Sequence, residues 1–405
     1  MNLARMDPVE FHRNEAPPLL TGDRGELAGV CARGLGSLVL AVGGSTWTYR
    51  ELNGRLAIEE GPRDDARVWV SMEPDAWSDL ALSMRTCISL QLAGELSLNR
   101  GSFGQLSRWE GVLRALHLGI PSYDPERVQL RSSDGTPLDL ARVFSFDELT
   151  KKEKTSELAE AAEAAEFLHA AGYLHVRGVF DPHEMERLAE ETNRIEDEVD
   201  NRDPFTWWAD RADGERVLCR VIYADRKSAL IGELADDPRL LSLAALLGSP
   251  VAALNDRMDG PTLVLKPAGQ LVGLANLPWH QDCGLGGHPV ICPSVAIGIQ
   301  ITGSSPETGY LEVVAGSQGQ WILNDLHEKS MTGWPRVDIL TEPGDVTVHI
   351  QDVVHRSPAP TGAGGRKTLY LSYYPPDLVD HIGPGQAVND LIRGRQSQAD
   401  AIRAG

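Results

Sequence analysis

The chain has 405 residues and a formal net charge of −20, from 38 Lys and Arg against 58 Asp and Glu. So acidic a surface argues against nucleic acid or an anionic membrane as the main partner, because both select basic patches; a small anionic ligand needs only one or two well-placed Arg. Five cysteines without a CxxC pair point to a reducing, cytoplasmic setting, and no apolar run approaches the ~20 residues of a membrane span.

Residues 1–25 are polar and contain Ala16-Pro17-Pro18, which predicts a loose lead-in. Residues 26–120 read as a small α+β accessory domain. Ser37–Val42, Gly43-Gly44 and Trp47–Tyr49 predict a hairpin, and Arg67–Ser71 another strand. Pro74 and Asp75 start a helix with Trp77, Leu80 and Met84 on one stripe. Ser89–Leu98 is β-like, and Leu106, Trp109, Leu113 and Leu116 recur at helical spacing. The order of these elements, with "LAGELSLNRG" between the helices, resembles the sterol-carrier-type lipid-binding fold over residues 25–118; any other small α+β domain satisfies the same pattern. The Leu and Trp stripes are read as core.

Residues 121–154 carry turn residues and a charged run and read as a connecting segment with room for one hairpin. The second domain is placed at 155–405. It opens with the Ala/Glu-rich helix Glu157–Ala171, the strand in "GYLHVRGVF" and a helix capped by Asp181-Pro182-His183-Glu184. Trp207-Trp208 lies in a polar stretch that suits either a lid or a loop packed on the core. From Thr262 to Pro375, short strands punctuated by Gly and Pro predict a jelly roll.

Three motifs in this domain carry chemistry. In Trp279-His280-Gln281-Asp282, the side-chain period of a strand puts His280 and Asp282 on one face, two legs of a metal site. His355 follows His280 by 75 residues, enough chain to go round a jelly roll and return. Two His and a carboxylate form the facial triad of non-haem Fe(II) oxygenases, which leaves positions open for a 2-oxo acid and O2. Arg366, 11 residues after His355, offers a planar fork for the distal carboxylate of 2-oxoglutarate, and Ser357 offers a hydroxyl to the same group. His349 is the rival third ligand. His288 reads as a flexible-loop residue, Cys283 as a small packed side chain, and Lys266 as a solvated lysine at a strand end.

With these motifs in view, residues 160–376 resemble the phytanoyl-CoA dioxygenase family of Fe(II)/2-oxoglutarate oxygenases. The matching pieces are "GYLHVRGVFDPHEMERL", "PWHQD", "ETGYLEVVAGSQ", "GDVTVHIQDVVHRS" and Arg366. The resemblance implies a double-stranded β-helix core with flanking helices. It also implies His280, Asp282 and His355 as iron ligands and catalytic centre, and Ser357 and Arg366 as 2-oxoglutarate anchors. Thr262 carries over as a pocket-lining position and Arg220 as a basic cofactor contact. Three positions depart from the family pattern: Gln318 for a His, Thr308 for an Asn, and Gly298 for an aromatic, the last expected to widen the pocket. The implied activity is oxidation, hydroxylation first, of an unactivated C–H bond in an apolar small molecule, lipid or natural-product intermediate, with release of succinate and CO2. Desaturation or ring formation fits too; halogenation does not, because Asp282 fills the place a halide would take. The rival readings are a non-catalytic lipid- or small-molecule-binding protein on an inactive oxygenase fold, and a cupin-like isomerase or hydrolase.

Overall fold

The computed structural model describes residues 4–150, 157–211, 214–256, 259–267, 271–272, 277–282, 294–320, 331–362 and 365–376. In the first module, strands β1 (Ser37–Val42), β2 (Ser45–Leu52), β3 (Arg55–Glu60), β4 (Val68–Met72) and β5 (Leu96–Arg100) form one sheet of order β3-β2-β1-β4-β5. Its core of Leu38, Leu40, Trp77, Leu90 and Trp109 is fully buried, so the Trp stripe is packed core.

Two expectations for this module need correcting. The lead-in is helical over Pro8–Glu10, Phe11–Glu15 and Ala16–Thr21, because Pro8 and Pro17 sit in first turns, where a missing N–H costs nothing. Within Ser89–Leu98 the first part is helical, Cys87–Ala93. Thr86 caps it by accepting from the Ser89 N–H, and Gly94 ends it at φ 77°.

The lead-in inserts Phe11 and His12 into the core. The His12 ring stacks on Trp47 at 3.8 Å and bonds Tyr49 Oη through Nε2 at 2.6 Å; Phe11 stacks on His117 at 4.3 Å. Burial pushes His12 down from 6.5 to about 4 and His117 to about 3. The unfolded chain therefore takes up these protons first. Stability should fall as the pH drops from about 6.5 to about 3, then level off. Tryptophan fluorescence during thermal denaturation checks this; a melting temperature that is flat over that range excludes it.

The second module is built from β6 (Phe144–Ser145), β7 (Tyr173–Arg177), β8 (Thr206–Arg211), β9 (Arg216–Val221), β10 (Ala252–Ala253), β11 (Thr262–Lys266), β12 (Leu271–Val272), β13 (Leu277–His280), β14 (Val295–Gln300), β15 (Leu311–Val314), β16 (Arg336–Ile339), β17 (Val346–Ile350), β18 (His355–Ser357) and β19 (Arg366–Tyr374). They form a ten-stranded sheet, β12-β8-β9-β11-β19-β14-β17-β7-β6 with β10 beside β19, and a four-stranded sheet, β13-β18-β15-β16. This is the two-sheet double-stranded β-helix.

Alternation along the large sheet separates two faces. Leu263, Leu265, Ile297, Ile299, Val346, Val348, Leu369 and Leu371 join Phe167, Leu168, Met185, Leu188, Leu240 and Leu243 of the helices Glu157–Ala171, Pro182–Glu198 and Pro238–Ala244 in one apolar cluster. The opposite face carries Arg220, Lys266, Gly298, Gln300, Thr347, His349, Arg366, Thr368 and Tyr370, matched row by row in the strand register.

The segment 121–154 is more than a connection. Phe144 is 1% exposed in the second module's core, β6 extends the large sheet beside β7, and the Tyr123 hydroxyl donates to Ala315 O. A bridge between Arg131 and Pro137 closes the hairpin. The Trp207-Trp208 stretch is neither lid nor loop: both residues lie in β8, paired with β9, where Trp207 packs on Ala209, Val217 and Cys219.

Candidate metal centre

The small sheet brings the three proposed ligands together. His280 ends β13 and His355 starts β18, and the two are register partners across the antiparallel pair. Asp282 lies two residues beyond, its N–H donating to Gln351 O at the end of β17. That bond ties the ligand turn to the large sheet. Asp282 Oδ1 sits 3.4 Å from His280 Nε2 and 3.6 Å from His355 Nε2. The ligating atoms of all three residues fall within 4.8 Å of one another.

The electrostatics suit a cation. Burial and the neighbouring His280 push His355 down to about 3, so its ring is neutral. Its Nδ1 donates to Val353 O at 3.0 Å, which leaves the Nε2 lone pair facing Asp282. Burial alone would raise the Asp282 carboxyl; His355 and hydrogen bonds from His280 and His349 outweigh it and hold the group well below the usual range.

His349 lies outside the triad. On β17, its Nε2 is 3.4 Å from Asp282 Oδ2, the oxygen turned away from His280 and His355. The ring is 2% exposed, and its Nδ1 has no hydrogen-bond partner.

Across the interior, on β19, Arg366 is 2% exposed and its Nε has no hydrogen-bond partner. A buried guanidinium in this state is costly until an anion arrives. Ser357 is buried on β18, but its hydroxyl donates to Tyr310 O at 3.0 Å. Thr262 is buried on β11, its hydroxyl bonded to Asp259 O and Gly260 O in the preceding turn. Arg220 lies on the same face, two residues along from the register row of Lys266. Its guanidinium is 3.5 Å from Asp259 Oδ2 and stacks over Trp207.

Lys266 is not a solvated strand end. It is 1% exposed, the register partner of Arg366, and its ammonium donates to Ser357 O at 2.9 Å. Sequence reasoning had one usable signal for it: alternation from Thr262 puts Lys266 on the polar face. Cys283 and His288 lie outside the described residues.

Gly298 does not widen the pocket. A Cβ there would lie 2.7 Å from Tyr370 Cε1 and 2.8 Å from Thr347 Oγ1. The aromatic ring has moved to the neighbouring strand, since Gly298 and Tyr370 are register partners. Gly298→Ala should cost about 1–3 kcal/mol by overpacking, and Tyr370→Ala in the same protein should recover part of it. Urea denaturation of both variants measures this; a neutral Gly298→Ala would disprove the packing. Gln318 has a structural role: its Nε2 donates to His169 O at 2.8 Å and to Ala170 O, closing the end of the helix Glu157–Ala171. Thr308 accepts the Ser305 N–H through its hydroxyl within the turn before β15.

Residues 168–368 match the phytanoyl-CoA dioxygenase (PhyH) family. No curated protein matches the chain. Among solved structures, AviO1 from Streptomyces viridochromogenes Tue57 is 24% identical over 53% of this chain and 95% of its own, with a TM-score of 0.43. The epimerase SnoN, solved with Fe3+, alpha ketoglutarate and nogalamycin RO, is 22% identical over 54% of this chain and 84% of its own, at 0.42. EctD from S. alaskensis, solved with 2-oxoglutarate and 5-hydroxyectoine, is 19% identical over 59% and 83%, at 0.44. Among the described residues no helix is long and apolar enough to cross a membrane.

Proposed function

We propose that this chain is an Fe(II)/2-oxoglutarate-dependent oxygenase that hydroxylates an unactivated C–H bond of an apolar small molecule. The observation that carries the reading is the pairing of the His280–Asp282–His355 cluster with a buried guanidinium, Arg366, that lacks a hydrogen-bond partner at Nε. One half fits a divalent iron and the other a carboxylate. Iron and 2-oxoglutarate, when bound, would let O2 act as the oxidant: 2-oxoglutarate is oxidised to succinate and CO2 and takes one oxygen atom, and the other goes into the C–H bond.

The chain's own residues do the rest. His280, Asp282 and His355 would hold the metal, and Arg366 would hold the distal carboxylate of the 2-oxo acid. Gln300 bridges its neighbours on the same face, its Nε2 donating to the Thr347 hydroxyl and its Oε1 accepting from the Thr368 hydroxyl, so these buried polar groups are paired. Tyr370 walls the side above Gly298. Thr262 and Arg220 are assigned to the wall of the same pocket.

Anaerobic addition of Fe(II) and 2-oxoglutarate should produce a visible charge-transfer band, and a screen of hydrophobic metabolites should find one that stimulates succinate formation. A non-catalytic binding protein would show neither signal. His349 is assigned as a positioning residue that holds Asp282 through Oδ2. His349→Ala should weaken Fe(II) binding about 10- to 100-fold, the usual cost of losing a partner behind a ligand, and His349→Gln should recover part. Loss of binding as complete as in a His355 variant would make His349 a ligand instead.

A further inference from the structure

The carboxylate site holds more positive charge than one carboxylate anchor requires. Lys266 and Arg366 face each other across β11 and β19, and both are at least 98% buried. The strand register sets both side chains on the polar face, toward the small sheet that carries His280 and His355. The ammonium is fixed from the small-sheet side by the carbonyl of Ser357, two residues after His355. The Ser357 hydroxyl, the neutral donor expected there, is turned to Tyr310 O.

We propose that Lys266 is a second anchor for the carboxylate that Arg366 is placed to hold, so that the distal end of 2-oxoglutarate is bound by a pair of cations; this rests on the 2-oxoglutarate reading above. An ammonium has three N–H donors. The bond to Ser357 O holds the ammonium beside Arg366, which presents its planar fork from the adjacent strand. A carboxylate accepts at both oxygens, so it can take a donor from each cation at once. The charge balance points the same way. Burial and the Arg366 charge push Lys266 down to about 7, with Cys219 on β9 opposing them. Near neutrality the protonated ammonium therefore gains most from an anion that also relieves its repulsion with Arg366.

The test compares two ligands that share the 2-oxo acid head but differ at the far end. 2-Oxoglutarate has the distal carboxylate and 2-oxobutyrate lacks it. Affinity is read from the charge-transfer band during anaerobic titration of the Fe(II)-loaded full chain, with a thermal melt of each variant. Lys266→Met should weaken 2-oxoglutarate about 10- to 100-fold, the worth of one charged hydrogen bond, and leave 2-oxobutyrate unchanged; Lys266→Arg should recover part. Lys266→Gln serves the same comparison if the Met variant does not fold. Equal weakening of both ligands would mean that Lys266 only supports β18, and would overturn the proposal. Unchanged 2-oxoglutarate affinity in Lys266→Met, with a large loss in Arg366→Ala, would overturn it while leaving the cofactor reading intact. If Arg366→Ala also fails to separate the two ligands, the cofactor reading itself falls.

Discussion

Replacing His355 by alanine should abolish iron binding and substrate-coupled turnover. The proposed centre would have three protein ligands, and His355 is the one whose geometry is most fully prepared: buried, neutral, and locked through Nδ1 to Val353 O. Alanine removes a ligand and leaves a cavity beside two groups that still attract protons or stray cations. Asp282→Ala should be as severe, because it removes the carboxylate of the proposed triad and leaves two imidazoles facing each other, with ring centroids 4.2 Å apart. Metal content after anaerobic loading, together with succinate formation, checks both variants. A His355 variant that retains full activity would transfer the third ligand position to His349, whose ring centroid lies only 4.6 Å away.

Arg366→Ala should raise the 2-oxoglutarate requirement steeply while changing the substrate requirement little. Losing one partner of a desolvated charge pair costs about 2–5 kcal/mol, which is about 30-fold or more in affinity. Arg366→Lys should recover only part, since one ammonium cannot reproduce the fork. The same variants carry a second readout. Without bound anion the wild-type guanidinium is buried at a cost, so Arg366→Ala should lose little stability in the apoprotein or gain some. Titration with 2-oxoglutarate and a thermal melt without it separate the two effects. Unchanged cofactor affinity in both variants would make Arg366 structural.

Much of the proposed centre was legible in the chain because its signals are local or nearly so. His280 and Asp282 are two residues apart, a spacing that points to one shared site, although β13 ends at His280 and a turn carries Asp282 to it. The approach of His355 follows from a jelly roll closing on itself, and Arg366 follows at a short spacing along the next strand. The helix caps at Thr86 and Gly94, and the proline in the first turn of Ala16–Thr21, were equally local. The apolar content of Ser89–Leu98 and the polar composition of residues 1–25 point the other way, and the local caps decide.

What the sequence determined by itself was therefore the strand-rich character of the second module, the identity of the proposed ligands and the kind of cofactor they suit, since these rest on residue types in a recognisable order along the chain. What only the tertiary structure decided depends on which strands lie side by side. The register of β11 against β19 turned Lys266 from a surface lysine into the buried partner of Arg366. The register of β14 against β19 put the Tyr370 ring over Gly298, so a missing aromatic at one position did not mean an open pocket. The large-sheet position of His349 brought it to Asp282 across a gap of 67 residues. Pairing between distant strands is set by the burial of the whole apolar face at once, and no single stretch of chain carries that information.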